Sequence, residues 1–343
     1  MHVGSVPLGS SAPVVIQSMT KVPTTDVDRC LGQIEELVRA GCGIVRLAVP
    51  RRADTEAFAR IVPQAGVPLV ADIHFSPARA IEAIEGGAAK IRLNPGNVKS
   101  RDDIHRILDA AKSHGVAIRI GVNEASIRDL TKEPIPPEER VDHMLAEMRQ
   151  YVRLFEDRGF DRIVLSVKTS DTMRTIEVNR RIAQVFRYPL HLGLTHAGLP
   201  EHARIPSAIA LGALLSEGIG DTIRVSAAGD PVIETGMAKE ILVSLGLRER
   251  RGPELIVCPT CGRTEIDVIE LARRVERALH AIDRPLRIAV MGCVVNGPGE
   301  AADADFAVCA GTDKAYFYRN GEKVAMVPSS EIIPKLMEAL AAL

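Results

Sequence analysis

Residues 69–97 read LVADIHFSPARAIEAIEGGAAKIRLNPGN. A β-branched run, Leu69–His74, is followed by an amphipathic stretch, Ser76–Gly86, and a second β-branched run, Lys90–Asn94. Two strands joined through a helix are parallel, because parallel pairing needs a long crossover. The same unit repeats outward in both directions. Val14–Ser18 and Ile44–Val49 precede it, and Ala117–Asn123, Arg162–Lys168, Leu190–Thr195 and Thr222–Ser226 follow, which makes eight strands. Helical stretches Val27–Ala40, Ile104–His114 and Ile176–Phe186 lie between them, and capping boxes are expected at Thr25/Asp28 and Ser100/Asp103. Eight strands alternating with helices predict a TIM (β/α)8 barrel rather than an open doubly wound sheet.

In such a barrel alternate residues of each strand face the helices and the interior. The apolar set here is the outer one. Near the C-terminal strand ends the inner positions read Arg46, Asp72 and His74, Arg92 and Asn94, Arg119 and Asn123, Ser166 and Lys168, His191 and Thr195, Arg224 and Ser226. Active sites of this architecture lie at that end. Any one of these cations alone reads as a salt bridge or a snorkelling surface group. Five at matching strand positions against one Asp predict a pocket for a small polyanion, a phosphate or diphosphate ester, since burying unpaired like charge is costly. The turn Asn94-Pro95-Gly96-Asn97 brings exposed backbone beside Arg92.

Composition narrows the class of partner. Of 343 residues, 46% are hydrophobic and 25% charged, an ordinary globular balance. With 43 basic and 44 acidic side chains, a net charge of −1, 3% aromatics and no Trp, nothing points to nucleic acid or an anionic membrane surface. No basic region precedes an apolar stretch at the N-terminus, and no apolar run reaches the ~18 residues of a membrane span, so a soluble cytoplasmic protein is expected. Six Cys are too few for a disulfide scaffold in a chain of this length.

A charged link, Arg248–Pro253, marks a boundary between a barrel domain, 1–247, and a small α/β domain, 248–343. The second domain is predicted as strand Leu255–Val257, helix Asp267–Ile282, strands Leu286–Val290 and Asp305–Val308, a hairpin Ala315–Val327 turning at Asn320-Gly321, and helix Ser330–Leu343. Cys258-Pro259-Thr260-Cys261 follows its first strand and Cys293 its second. A C-x-x-C alone suits zinc or a dithiol, but no second pair follows, and thioredoxin-like motifs need no third thiolate. Three thiolates suit an iron–sulfur cluster whose remaining position is open or held by a weaker ligand such as Glu300, with Gly292, Gly297 and Gly299 allowing close backbone approach. Three buried structural thiols are the plainer alternative. Cys309, on an alternating apolar strand, and Cys30 and Cys42 are expected to be core thiols.

The motifs QSMT, VPTTD, VRLAVP, ADIHF, KIRLNPGN, IRIGVN, SVKTSD, HLGLTHAG, LLSEGIGDTIRVS, CPTCGRTEID and MGCVVNGPGE occur in this order over nearly the whole chain. In these the sequence resembles the bacterial-type 4-hydroxy-3-methylbut-2-en-1-yl diphosphate synthase family of the non-mevalonate isoprenoid pathway. The resemblance implies a TIM barrel and a ferredoxin- or sulfite-reductase-like domain holding a 4Fe-4S cluster through Cys258, Cys261, Cys293 and Glu300. It implies 2-C-methyl-D-erythritol 2,4-cyclodiphosphate as substrate, opened reductively with loss of water, and flavodoxin or ferredoxin as electron donor. It also implies a head-to-tail homodimer in which one chain's cluster domain covers the other's barrel mouth. Carried over by motif, Arg46, Arg92, Asn94, Arg119, Asn123, Lys168, Arg224 and Ser226 grip the diphosphate, with Asp72 and His74 nearby, and Glu300 swings away to open an iron.

Two positions depart from the family pattern. Thr195-His196-Ala197-Gly198 stands where the family reads T-E-A-G, so the acid/base Glu is missing and His196 is the replacement expected to move a proton. The following segment, Leu199–Pro206, lacks the family's Gly-rich basic character, which leaves its role as a mobile lid open. Glu124-Ala125 replaces small residues after Asn123 and is expected to narrow the pocket edge. Two other readings stay open: a phosphosugar lyase or hydrolase barrel with a structural zinc domain, and a catalytically silent paralogue that binds the cyclodiphosphate.

Overall fold

A computed structural model of the chain describes residues 1–9, 11–127, 135–195, 198–293, 299 and 301–341. Eight parallel strands, β3 (Val15–Met19), β4 (Ile44–Ala48), β5 (Leu69–Asp72), β6 (Lys90–Leu93), β7 (Ala117–Asn123), β8 (Ile163–Lys168), β9 (His191–Leu192) and β10 (Thr222–Ile223), run in the order β8-β7-β6-β5-β4-β3-β10-β9. A parallel bridge between Leu165 and Leu190 closes the ring. Helices α1 (Val27–Ala40), α2 (Arg52–Ile61), α3 (Pro77–Glu85), α4 (Arg101–Ser113), α5 (Arg140–Glu156), α6 (Thr172–Val185), α7 (Pro200–Ser216) and α8 (Pro231–Ser244) follow the strands in turn. This is the TIM barrel that the strand–helix alternation predicts.

Hydrophobicity alternates along the strands as a two-sided wall requires. Val45, Leu47, Ile91, Leu93, Ile118, Ile120, Leu165 and Val167 face outward into the core shared with the helices. Helices begin where a polar side chain satisfies an orphan backbone N–H. Ser100 accepts from the Asp103 N–H at 3.4 Å, as the sequence suggests. The cap of α1 is one residue later than expected: Asp26, not Thr25, accepts from the Arg29 N–H, while the Thr25 neighbour Thr24 donates to the Ala48 carbonyl. The segment after Gly198 is the beginning of α7, which starts at Pro200 with its fixed φ.

Periodicity does not betray the bottom of the barrel. The N-terminal hairpin, β1 (His2–Val3) and β2 (Val6–Pro7), is antiparallel and seals it. Val3 and Leu8 pack there against Ile44, Val70, Ala117 and Val164, the first inward residues of four barrel strands. Water is thus excluded below, and the polar inner residues lie above an apolar floor.

The chain divides into two compact units, Met1–Arg248 and Glu249–Leu343. The second holds a five-stranded sheet, β11 (Glu254–Val257), β12 (Arg287–Met291), β13 (Phe306–Ala310), β14 (Lys314–Arg319) and β15 (Glu322–Pro328), in that spatial order. The first three strands are parallel and the last three form an antiparallel meander. Its tight turn uses Asn320 and Gly321, both at positive φ, as a hairpin of this hand requires. Helix α9 (Val268–Leu279), capped by Asp267, and the C-terminal helix Ile332–Ala341 cover the sheet through Leu271, Val275 and Leu336. Among the described residues no helix is long and apolar enough to cross a membrane.

A cationic candidate site at the barrel mouth

Nine of the ten residues predicted to bind substrate line one cavity of about 200 Å³ at the C-terminal strand ends: Arg46, Asp72, His74, Arg92, Arg119, Asn123, Lys168, Arg224 and Ser226. Gly121, Ser166, Leu194 and Thr195 complete the wall. Asn94 does not line it. Its Oδ1 accepts from the Gly96 N–H at 3.1 Å, so the side chain is used to cap the turn Pro95–Asn97 beside Arg92. Strand register explains the convergence. Asp72 pairs with Arg92, Arg92 with Arg119, and Asn123 with Lys168 across neighbouring strands, all with the parity that points inward.

Asp72 is the hub of the cationic wall. Its Oδ1 lies 3.7 Å from Arg92 and 3.9 Å from Arg46, and its Oδ2 lies 3.4 Å from His74 Nε2. Burial alone would raise its pKa, but Arg46, the His74 hydrogen bond and Arg92 outweigh that and hold the carboxyl well below the usual range. One carboxylate does not balance the cations. Burial pushes Arg46 down to about 10 despite Asp72, with Arg224 and Arg92 adding repulsion. Burial, reinforced by neighbouring cations, also disfavours the charged forms of Arg119 and Lys168 strongly. Guanidinium groups keep their proton in proteins, so this repulsion is stored as affinity for an anion.

The geometry depends on a close approach at Gly193. A Cβ there would stand 2.3 Å from the Arg224 carbonyl and 3.0 Å from Lys168 Nζ, so only glycine lets the chain after β9 pass between these two residues. Two supports were not evident from sequence. Met19 Sδ accepts from Arg46 Nε at 3.1 Å and Nη2 at 3.0 Å, which fixes the plane of that guanidinium. Glu234 on α8, 1% exposed, accepts from Arg224 Nε at 3.2 Å, from Lys21 at 2.8 Å and from the Ala227 N–H at 3.1 Å. Burial would raise its pKa, but Arg224, Lys21 and Ala227 lower it, so it is a carboxylate. A Glu at the third residue after a helix-starting Asp230-Pro231 reads as a solvated first-turn acid, which hides this role.

Glu124 differs from its expected part. It is buried, and its Oε1 accepts from Arg140 at 2.8 Å and Arg174 at 2.6 Å, so it joins α5 to α6 and does not narrow the cavity. His196, the expected proton carrier, lies outside the described residues.

In the second unit Cys258 follows β11 and Cys293 follows β12, at the same end of adjacent parallel strands, with the Cys258 N–H donating to the Val290 carbonyl at 2.9 Å. Cys261 is exposed, Cys258 half-buried and Cys293 buried, and none of the three is in a disulfide. Gly292, between strand and Cys293, has no room for a Cβ, which would meet Val268 at 2.3 Å. Cys309 is fully buried opposite Met291, and burial, then Cys293, pushes its thiol up to about 12. Burial likewise pushes Cys30 and Cys42 up to about 11. Glu300 lies outside the described residues, and among the described ones no three His, Cys, Asp or Glu stand close enough to hold a metal ion. The donor set is nevertheless soft and thiol-only, from two neighbouring loops, and suits iron–sulfur or zinc far better than a hard cation.

Residues 1–239 match the GcpE TIM-barrel domain and residues 254–342 the GcpE protein C-terminal domain. A protein of Malacoplasma penetrans named 4-hydroxy-3-methylbut-2-en-1-yl diphosphate synthase (flavodoxin) is 42% identical, over 99% of this chain and 93% of its own. Its namesake from Thermotoga petrophila is 47% identical, over 99% of this chain and 96% of its own. Among solved structures, dihydropteroate synthase from Stenotrophomonas maltophilia is similar with a TM-score of 0.50 at 15% identity, over 70% of this chain and 98% of that one, a likeness of fold alone. Matched in both of its units and aligned with these relatives almost end to end, the chain belongs to the GcpE family.

Proposed function

We propose that this chain catalyses the reaction its relatives are named for: reductive opening of 2-C-methyl-D-erythritol 2,4-cyclodiphosphate to 4-hydroxy-3-methylbut-2-enyl diphosphate, with loss of a hydroxyl as water. The observation that carries the reading is the cavity of five cations around one carboxylate at the barrel mouth. Arg46, Arg92, Arg119, Lys168 and Arg224 hold the diphosphate, and Asn123 and Ser226 supply neutral donors to its remaining oxygens. Because Asp72, Met19 and Glu234 fix three of these guanidiniums before substrate arrives, little reorganisation is needed as charge gathers on the departing phosphate oxygen. His74 stands at the rim beside the buried Asp72, and His196 delivers the proton with which the hydroxyl leaves.

Cys258, Cys261, Cys293 and Glu300 would hold a 4Fe-4S cluster. When bound, it supplies electrons one at a time to the substrate, from a flavodoxin or ferredoxin. The names of the relatives favour neither a phosphosugar lyase with structural zinc nor a silent paralogue. Head-to-tail dimerisation in the cytoplasm belongs to the same reading.

The test is anaerobic purification with iron and sulfide analysis, then addition of the cyclodiphosphate with dithionite and a viologen mediator. A brown protein with about four irons per chain that forms the hydroxybutenyl diphosphate is expected. A colourless zinc protein, or tight binding without turnover, would overturn the assignment.

A further inference from the structure

The polar residues of the barrel interior continue below the cavity. Gln17 on β3, Lys90 on β6, His191 on β9 and Thr222 on β10 are all fully buried. In the sheet register Lys90 lies between Val70 and Ala117, both part of the apolar floor, with Arg92 two residues nearer the mouth. The one side-chain hydrogen bond here joins His191 Nδ1 to Thr222 Oγ1 at 2.8 Å. Among the described residues Lys90 Nζ, both amide atoms of Gln17, His191 Nε2 and two nitrogens of Arg119 have no hydrogen-bonding partner. Among the described residues no carboxylate forms an ion pair with Lys90, so a buried ammonium in that position is uncompensated by the protein.

We propose that Lys90 is an amine while the cavity is empty and takes up a proton when a diphosphate enters above it, so that anion binding is coupled to protonation of the barrel interior. The inference rests on the diphosphate reading of the cavity given above. The charged and titratable groups on the inner faces are Arg46 on β4, Asp72 on β5, Arg92 on β6, Arg119 on β7, Lys168 on β8, His191 on β9 and Arg224 directly after β10. Asp72 is committed to Arg46, Arg92 and His74. The guanidiniums cannot shed protons, so only Lys90, Lys168 and His191 can relieve the excess charge. Lys168 reaches the cavity and His191 retains Thr222, whereas Lys90 has neither. Burial, then Arg119 and Arg46, push Lys90 well below the usual lysine range. A bound anion reverses the sign of the local field and favours the ammonium. The ligand then gains a sixth cation, one that is not held charged in its absence.

Calorimetric titration of the intact protein with inorganic pyrophosphate, in buffers of differing ionisation enthalpy near neutral pH, reads the protons exchanged on binding. Wild type is expected to take up more than Lys90→Met, by a difference approaching about one proton per chain. Protons exchanged by pyrophosphate itself are common to both proteins and cancel. Equal proton counts in the two proteins, or a loss of uptake in His191→Gln with Lys90→Met unchanged, overturns the inference while leaving the cavity reading intact. Failure of pyrophosphate to bind wild type overturns the cavity reading itself. Should Lys90→Met not fold, Lys90→Gln carries the same comparison. Replacing an uncompensated buried lysine by an apolar residue of similar shape is also expected to raise the melting temperature of the empty protein, and a fall in both variants counts against the proposal.

Discussion

Glu234 shows how a residue outside the cavity decides what a residue inside it can do. Buried on α8, it restrains Arg224 at its Oε2 and Lys21 at its Oε1, and accepts from Ser18 at 3.2 Å. Removing one partner of a buried ion pair leaves the other charge desolvated and unmatched. Glu234→Ala is therefore expected to cost about 3 kcal/mol of stability, read from urea midpoints, and to weaken pyrophosphate binding as Arg224 loses its orientation. Retention of both would make the contact incidental. Single residues were also the hardest to read from sequence. Asn94 and Glu124 have the right types and neighbours for a pocket edge, yet hydrogen-bond demands of a turn and of two helices claim them first. Lys90 was missed because a lysine opening a strand reads as solvated, although its parity with Arg92 is the available clue.

At the scale of elements, the short strands β9 and β10 are paired neighbours whose C-terminal ends bring Gly193 against Arg224. Gly193 sits between them where a Cβ would strike backbone, not a flexible side chain. Relief requires moving β9 away from β10, so Gly193→Ala is expected to destabilise the barrel by about 2 kcal/mol and to weaken anion binding more than tenfold, through the Lys168–Arg224 spacing. Unchanged pyrophosphate affinity in a folded Gly193→Ala protein would show that this spacing is not critical. Helix and strand positions themselves were legible, because apolar periodicity at two and at 3.6 residues is set by burial. The β1–β2 hairpin was not, since two-residue strands have no period to detect.

Over the whole molecule, the excess positive charge inside the barrel makes stability depend on pH with a definite sign. Burial, then Arg119 and Lys168, push His191 well below its ordinary 6.5. The unfolded chain therefore binds a proton there that the folded one refuses, and stability falls as pH drops through 6.5 toward the folded value. The slope from this residue is at most about 1.4 kcal/mol per pH unit. Asp72 and Glu234, whose folded values are depressed, stabilise above the ordinary carboxylate range and lose that contribution only at still lower pH. Melting temperatures of the empty protein are expected to fall on acidification from neutral pH, with a shallower slope in His191→Gln. Identical slopes would place the titration elsewhere. Taken by itself, the sequence determined the alternation of eight strands with helices, the polar inner parity at their C-terminal ends, the division near Arg248 and the three spaced cysteines, because each is a local pattern written within a few tens of residues. Only the tertiary structure decided which inner residues share a cavity, which are spent as caps and braces, and that a hairpin closes the floor beneath an unpaired lysine. Those outcomes depend on strand register and on which groups must satisfy one another once water is gone, and for most of them no local stretch of sequence contains both partners.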